Sequence, residues 1–267
     1  MKYSMKDIKS SLPERKAKIE PFWGRVFIRP VSYVVTYPLI NSGWCTANMV
    51  SMFSCFWAVA AMIVMCIDNI WCIWIGAILF NFWGVLDCVD GNMARCMKKT
   101  SMVGAFFDAM GGYSIAGFSM MGFGMAAYHT THIFGDYRII LVLIGGLGGL
   151  TDILSRLIYQ KYSNNYMIME INRIGISAAH TENEAFYSGE GKISWFKKLI
   201  SAIDYEFGTG GDELLFLLIA IGVGYLDIFT LLYAFYHIVG FVAVAIMYAR
   251  KMLRYEKEYI QFENSQE

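Results

Sequence analysis

Residues 70–112 read IWCIWIGAILFNFWGVLDCVDGNMARCMKKTSMVGAFFDAMGG. Asn69–Leu86 contains no Asp, Glu, Lys or Arg, and neither does Ala109–Gly135. A helix needs about 20 apolar residues to cross the hydrocarbon core of a bilayer. The two runs therefore predict a pair of membrane helices, 70–92 and 104–128, joined by a short connection carrying Arg95, Lys98 and Lys99. Three acids, Asp87, Asp90 and Asp108, stand at the ends that meet this connection. Carboxylates in a membrane segment are costly, and where they occur they usually mark function.

Outward from this hairpin, Pro30–Ile67, Ile139–Thr151, Leu214–Leu226 and Ile228–Ala249 are also free of Asp, Glu, Lys and Arg. They predict further spans at 46–67, 137–161, 211–226 and 229–250. The stretch 21–42 is aromatic, with Arg25 and Arg29 near its start, and reads as a helix lying in the membrane interface. Composition agrees: the 267-residue chain is 57% hydrophobic and only 16% charged, with a mean hydropathy of +0.44. Soluble domains carry about 25% charged residues. A disordered chain, a nucleic-acid-binding tail, a disulfide scaffold and most soluble enzymes are excluded. The expected fold class is all-α: an integral membrane six-helix bundle with an N-terminal interfacial helix. Its parts are 1–45 (N-terminus and interfacial helix), 46–250 (the membrane domain) and 251–267 (a solvated, frayed tail).

Lys and Arg are matched by Asp and Glu at 22 each, so net charge says nothing of partners, but the placement of the cations does. All except Arg138 fall in 1–29, the 95–99 connection, 156–198 or 250–257. By the positive-inside rule both termini and both basic connections face the cytoplasm, which an even number of spans permits. The first twenty residues are charged and polar, with no cleavable signal peptide in view. A bacterial cytoplasmic membrane is the expected location. The long connection 162–207 includes the turn-rich TENEAFYSGEGK (181–192) and the amphipathic WFKKLISAIDYEF (195–207). A role in acceptor recognition is expected of it. The six Cys read as reduced, buried small hydrophobes. His129 and His132 form an HxxH without obvious acidic partners, a poor metal site. Gly145, Gly146, Gly148 and Gly149 read as a close helix-packing surface.

Asp87, Asp90, Gly91 and Ala94 follow i, i+3, i+4, i+7, one helix face, and Gly104, Asp108 and Gly112 follow i, i+4, i+8 on the next helix. The short connection makes the two helices antiparallel neighbours and brings the three carboxylates together over a floor without bulk. Such carboxylates repel one another without cations, and all-oxygen ligands suit Mg²⁺ or Mn²⁺. With Arg95 nearby, a diphosphate fits the same place.

These residues resemble the signature D-x2-D-G-x2-A-R-x8-G-x3-D-x3-D of the CDP-alcohol phosphotransferase (CDP-alcohol phosphatidyltransferase) family. Asp87, Asp90, Gly91, Ala94, Arg95, Gly104 and Asp108 stand at those spacings, and the last position holds Gly112. Arg29-Pro30-Val31-Ser32, Thr46-Ala47-Asn48-Met49-Val50-Ser51 and Gly210-Gly211-Asp212-Glu213 resemble flanking family elements. The resemblance implies a membrane enzyme, usually dimeric, that cleaves a CDP-linked alcohol and passes the phospho-alcohol to an acceptor hydroxyl with release of CMP. It implies a CDP-alcohol donor, a lipid or lipid-linked acceptor, and Mg²⁺ or Mn²⁺ held by Asp87, Asp90 and Asp108. Asp108 and Arg95 would serve the chemistry, Arg95 on the diphosphate. Gly91, Ala94, Gly104 and Asn48 would receive the nucleotide, and Arg156 a phosphate. Gly112 departs from the pattern, because the family's Asp here is a metal ligand and the proposed base. Open alternatives are a binder with little turnover, a replacement base such as Asp152 or Asp212, an acceptor that needs no base, or room for a bulkier acceptor. A reading from another class, a cation-conducting transporter or channel, is disfavoured because the acids cluster at one face.

Overall fold

Side chains that start helices mark most element boundaries. Ser4 caps α1 (Met5–Ser10) in a reciprocal pair with Asp7, and α2 (Glu14–Lys18) follows. A π-helical turn (Gly24–Ile28) leads into α3 (Arg29–Ser42), which Gly43 ends at φ +80°, a backbone geometry natural to glycine. Thr46, Asn69 and Ser101 each accept a first-turn backbone N–H, opening α4 (Ala47–Met65), α5 (Ile70–Met97) and α6 (Met102–Thr130). A 3-10 turn (Gly135–Arg138) precedes α7 (Ile139–Ile174); α8 (Glu213–Val223) and α9 (Leu226–Gln266) complete the chain. This computed structural model describes residues 3–18, 20–99, 101–174 and 212–266. Beyond Ile174, the expected connection 162–207, with its turn-rich and amphipathic stretches, lies outside the described residues, as do Gly210 and Gly211.

The fold is an all-α membrane bundle, with no strand among the described residues. Its exterior is apolar: Phe56, Trp71, Leu143, Leu232 and Phe235 are all more than 60% exposed. Its interior holds Asn81, Asn92, Glu213 and Thr230 beside Phe80, Phe123, Met65 and Leu141. Apolar outside with polar groups inside is the arrangement a lipid solvent selects.

Among the described residues, α4, α5, α7 and α9 are long and apolar enough to span a membrane. The sequence predicted six spans. α6 has the length, at 29 residues, but its many Gly and Ser residues lower its hydropathy. α8 has 11 residues, about 16 Å of rise and too little to cross a core of about 30 Å unaided. Its first turn meets α5 halfway along, where Asn81 Nδ2 donates to the Leu214 carbonyl at 3.2 Å. The 251–267 segment, expected to fray, continues α9 as helix through Gln266. There α7 and α9 run on together, joined by Tyr162 and Tyr166 against Tyr248 and Tyr255, with Lys251 over the Tyr248 ring.

α5 and α6 are antiparallel but meet only briefly, because α4 packs along both of them; α6 then packs on α7, and α7 on α9. The α6–α7 contact is made of glycine. A Cβ at Gly145 would lie 2.5 Å from the Met120 carbonyl, and one at Gly149 2.8 Å from that of Gly117. Gly148 abuts Ala234 of α9, whereas Gly146 has nothing within 4 Å. The glycine cluster thus packs helices within one chain. All six Cys are free. His129 reaches the Cys66 carbonyl at 3.0 Å and Asp68 at 3.6 Å, tying the end of α6 to the α4–α5 turn. Asp68 is an acidic partner that the sequence reading did not assign.

Candidate active site

The α3 approach, α5, α6, α7 and α9 enclose a cavity of about 1100 Å³. Asp87 of α5, Asp108 and Gly112 of α6, Asp152 and Arg156 of α7, and His237 of α9 all open onto it, with Lys16, Glu20 and Arg29 from the N-terminal segment. Ligand pockets commonly measure about 300–1,000 Å³. This one has room for a nucleotide-linked substrate and part of a second molecule.

The three expected carboxylates do not converge on one point. Asp87 and Asp108 face the cavity and are close enough to interact electrostatically. Asp90 turns into the α4–α5 contact, is 7% exposed, and accepts a 2.5 Å hydrogen bond from Ser51 Oγ. Residues three apart on a helix are rotated by about 60°, enough for α4 to claim Asp90 while Asp87 stays on the cavity. Among the described residues, no three His, Cys, Asp or Glu side chains are gathered as a metal cage. The donor chemistry still fits a hard divalent ion. Asp87 and Asp108 offer only oxygen, and Mg²⁺ is usually held by one or two carboxylates with substrate phosphates completing its shell.

The other signature residues lie beside the cavity, behind its wall. Arg95 Nη2 donates to Asn92 Oδ1 at 2.7 Å, and Asn92 Nδ2 donates to Ser32 and Thr36 hydroxyls of α3 at 3.2 and 3.3 Å. Gly91 makes this possible, since a Cβ there would sit 2.9 Å from Arg95 Nη1. Ala94 lies on the same stretch of α5. Gly104 leaves room for Asn48, whose Oδ1 accepts from Ser101 Oγ at 3.1 Å; a Cβ at Gly104 would meet that oxygen at 2.7 Å. Asn48, Ser51, Asp90 and Gly104 therefore form a polar seam where α4, α5 and α6 meet.

Arg29 and Glu20 form a buried ion pair, Nε to Oε1 at 2.9 Å, with Nη2 also on Oε1. Burial is the largest influence and opposes the Arg29 charge, but the hydrogen bond and charge of Glu20, together with neighbouring Cys88 and Tyr33, raise the guanidinium pKa above its ordinary value. Arg29 and Arg95 sense each other's charge, and Arg29 Nη1 and Arg95 Nε are buried without a hydrogen-bond partner among the described residues.

On the far wall, a Cβ at Gly112 would lie 3.7 Å from Arg156 Nη1, in ordinary contact. Arg156 Nε meets Asp152 Oδ1 at 3.2 Å, and His237 Nδ1 lies 3.9 Å from the same oxygen. Asp212, considered from sequence as a replacement base, is buried outside this cavity and accepts the Trp23 backbone N–H at 2.7 Å. Sequence reasoning missed His237, Ser51 and the Glu20–Arg29 pair. A lone imidazole within an otherwise uncharged span was the available signal for His237.

Among the described residues the chain is all-helical, with an apolar exterior and an internal cavity lined by charges of both signs, the build of a membrane protein. The family model for CDP-alcohol phosphatidyltransferase matches residues 44–174, just under half of the chain. The match runs from just before α4 to the end of α7 and takes in all the signature residues. The family comprises transferases that move a phospho-alcohol from a CDP-alcohol and use divalent metal. No curated protein matches the chain.

Proposed function

We propose that this chain transfers the phospho-alcohol of a CDP-alcohol to an acceptor hydroxyl in this cavity, releasing CMP. One observation carries the reading: Asp87 and Asp108, from two different helices, share a large cavity with Lys16, Arg29 and Arg156. In this reading Asp87 and Asp108 would hold Mg²⁺ or Mn²⁺, with Asp90 behind them. The ion, when bound, neutralises diphosphate charge and polarises the phosphorus. Ser51 fixes Asp90. Arg29, on the cavity, and Arg95, behind its wall, would offer the diphosphate the N–H groups left unpaired among the described residues. The cytidine nucleotide would lie toward Gly91, Ala94, Gly104 and Asn48, where Arg95 and Asn48 side chains fill the space beside the two glycines in this structure. Arg156 receives a phosphate oxygen. The acceptor is a lipid or lipid-linked hydroxyl arriving from the bilayer. The active chain is a homodimer in a bacterial cytoplasmic membrane, with the basic end cytoplasmic.

The test is CMP release by purified protein with Mn²⁺ or Mg²⁺, screening CDP-diacylglycerol and soluble CDP-alcohols against lipid extract. Turnover is expected in wild type and lost in Asp108→Ala. Metal-independent release, or release unaffected by Asp108→Ala, refutes the reading. A second reading has one observation in its favour: Gly112 has no side chain to act as a base. In that case the protein binds a CDP compound, with Asp87-dependent affinity, without efficient turnover.

A further inference from the structure

Transfer to a hydroxyl requires something to take its proton, and position 112, one turn beyond Asp108 on the cavity face of α6, is a glycine. The group nearest to that gap is Arg156. A guanidinium stays protonated and cannot serve as a base. Behind Arg156 stands a buried, connected set. Asp152, 7% exposed on α7, lies between Arg156 Nε at 3.2 Å and His237 Nδ1 at 3.9 Å. His237, 6% exposed on α9, lines the same cavity as Asp87, Asp108 and Gly112. The rings of Tyr233 and Tyr236 pack against the imidazole at centroid distances of 4.7 and 5.2 Å and fix its plane.

We infer that His237 is the general base for the acceptor hydroxyl, held in place by Asp152, in a cavity where α6 supplies no carboxylate at position 112. The inference rests on the phosphotransferase reading of the cavity. Asp152 Oδ1 lies 3.9 Å from Nδ1, longer than a hydrogen bond but close enough for its charge to favour a proton on that nitrogen, which leaves Nε2, buried in this structure, as the basic one once the acceptor reaches it. In the step, the acceptor O–H bond breaks and its proton passes to the imidazole. The acceptor oxygen bonds to the phosphorus that bears the donor alcohol. The bond from that phosphorus to the bridging oxygen breaks, and its electron pair leaves on CMP. The imidazolium then returns its proton to water in the cavity. Arg156 contributes charge: it neutralises Asp152 in the resting cavity and faces the gap at Gly112, where an anionic oxygen can sit. Asp152 is thus a positioning residue, and His237 the group that meets the substrate.

Ionisable groups facing His237 set its working range. They are Asp152 and Arg156 from α7, Glu213 from α8 through Tyr233, and Tyr233 and Tyr236 on its own helix. Asp87 and Asp108 stand across the cavity.

The experiment uses full-length protein, Mn²⁺, and the CDP-alcohol that supports wild-type turnover, followed by CMP release and by donor binding. His237→Gln should lower kcat by about 10²–10⁴-fold, the usual range for a general base, with donor affinity unchanged. It should also abolish the acidic limb of the pH profile. Asp152→Asn should shift that limb to lower pH, because the imidazolium loses its carboxylate. Gly112→Asp placed on the His237→Gln background should restore at least ten-fold, since it returns a carboxylate to the cavity beside Arg156. A purely structural His237 would not be rescued from another helix. If His237→Gln keeps kcat within about three-fold of wild type with the same pH profile, the inference is overturned. It is also overturned if Gly112→Asp fails to rescue a His237→Gln protein that still binds donor at wild-type affinity. Should His237→Gln fail to fold, Asp152→Asn alone decides: an unmoved acidic limb overturns the assignment. A wild-type protein that binds the donor with Asp87-dependent affinity but never releases CMP overturns the base and leaves the binding reading standing. Absence of donor binding refutes the phosphotransferase reading itself.

Discussion

Gly145→Ala should separate two walls of the active site by adding one methyl group more than six residues away from any of its polar side chains. A Cβ at this position would lie 2.5 Å from the Met120 carbonyl oxygen, 2.9 Å from Gly124 Cα and 3.1 Å from Gly124 N. All three are backbone atoms of α6, so no rotamer change relieves the contact. Ordinary contact begins at 3.4 Å, so the helices must part by most of an ångström. Overpacking of this kind costs about 1–3 kcal/mol, and the rigid backbone neighbour puts this site at the upper end. Alanine returns about 1 kcal/mol of helix propensity relative to glycine, leaving a net loss near 2 kcal/mol. The control is Gly146→Ala, whose new Cβ meets nothing within 4 Å; it should gain about 0.5–1 kcal/mol from propensity alone. Equilibrium unfolding in mixed micelles, read by tryptophan fluorescence, should therefore separate the two variants by roughly 3 kcal/mol. Function should follow, because α6 carries Asp108 and Gly112 while α7 carries Asp152 and Arg156. Displacing catalytic groups by about 1 Å can cost about 10²-fold in rate, so Gly145→Ala should lose CMP release well below its unfolding transition. Equal stability of the two variants, with full activity in Gly145→Ala, would refute the close α6–α7 approach as the element that sets the cavity's width.

Removing one member of the buried Glu20–Arg29 pair strands the other. Glu20→Gln should destabilise by about 3–5 kcal/mol in the same unfolding assay, whereas replacing both residues with leucine should cost much less; equal losses would count against the pair. Ser51→Ala deletes the 2.5 Å hydrogen bond to Asp90. Hydrogen bonds to charged groups contribute about 1.5–3 kcal/mol, so metal-dependent CDP-alcohol binding should weaken by roughly 10–100-fold, and unchanged affinity in a titration would remove Asp90 from the site. At the N-terminus, the Ser4 hydroxyl and backbone N–H both donate to Asp7 Oδ2, at 2.7 and 2.8 Å, and hold its carboxyl below the usual range. A lowered folded-state pKa stabilises α1 above the ordinary carboxylate value and ceases to do so as pH falls through the lowered one. An NMR titration should therefore find Asp7 below about 3.9 in wild type and moved upward in Ser4→Ala; no movement would deny the cap.

Much of this protein was legible from residue order. Uncharged runs set the helices, because lipid leaves the backbone no hydrogen-bond partner except itself. Caps at Thr46, Asn69 and Ser101 set where three of those helices begin. The spacing from Asp87 to Asp108 picked out the acidic site, since residues on one helix face stay neighbours whatever the helix packs against. Less legible was the length of each element. α8 proved shorter than the expected span 211–226, and α9 ran on through the tail, because helix ends depend on what lies alongside them: Asn81 and Trp23 meet the start of α8, and tyrosines of α7 flank α9.

Which helices touch, and what each side chain faces, was decided only by the tertiary structure. α4 packs along both α5 and α6, so hairpin partners in sequence became near neighbours at best, and Asp90 was drawn away from Asp87 toward Ser51. Asp152 and Arg156 are neighbours on one helix and could be paired from sequence. His237 joins them from 85 positions further along the chain. No local spacing encodes that meeting. It follows from the glycine-lined packing of α6 on α7 and of α7 on α9, which brings three polar groups into one cavity where the bilayer offers them no other partner.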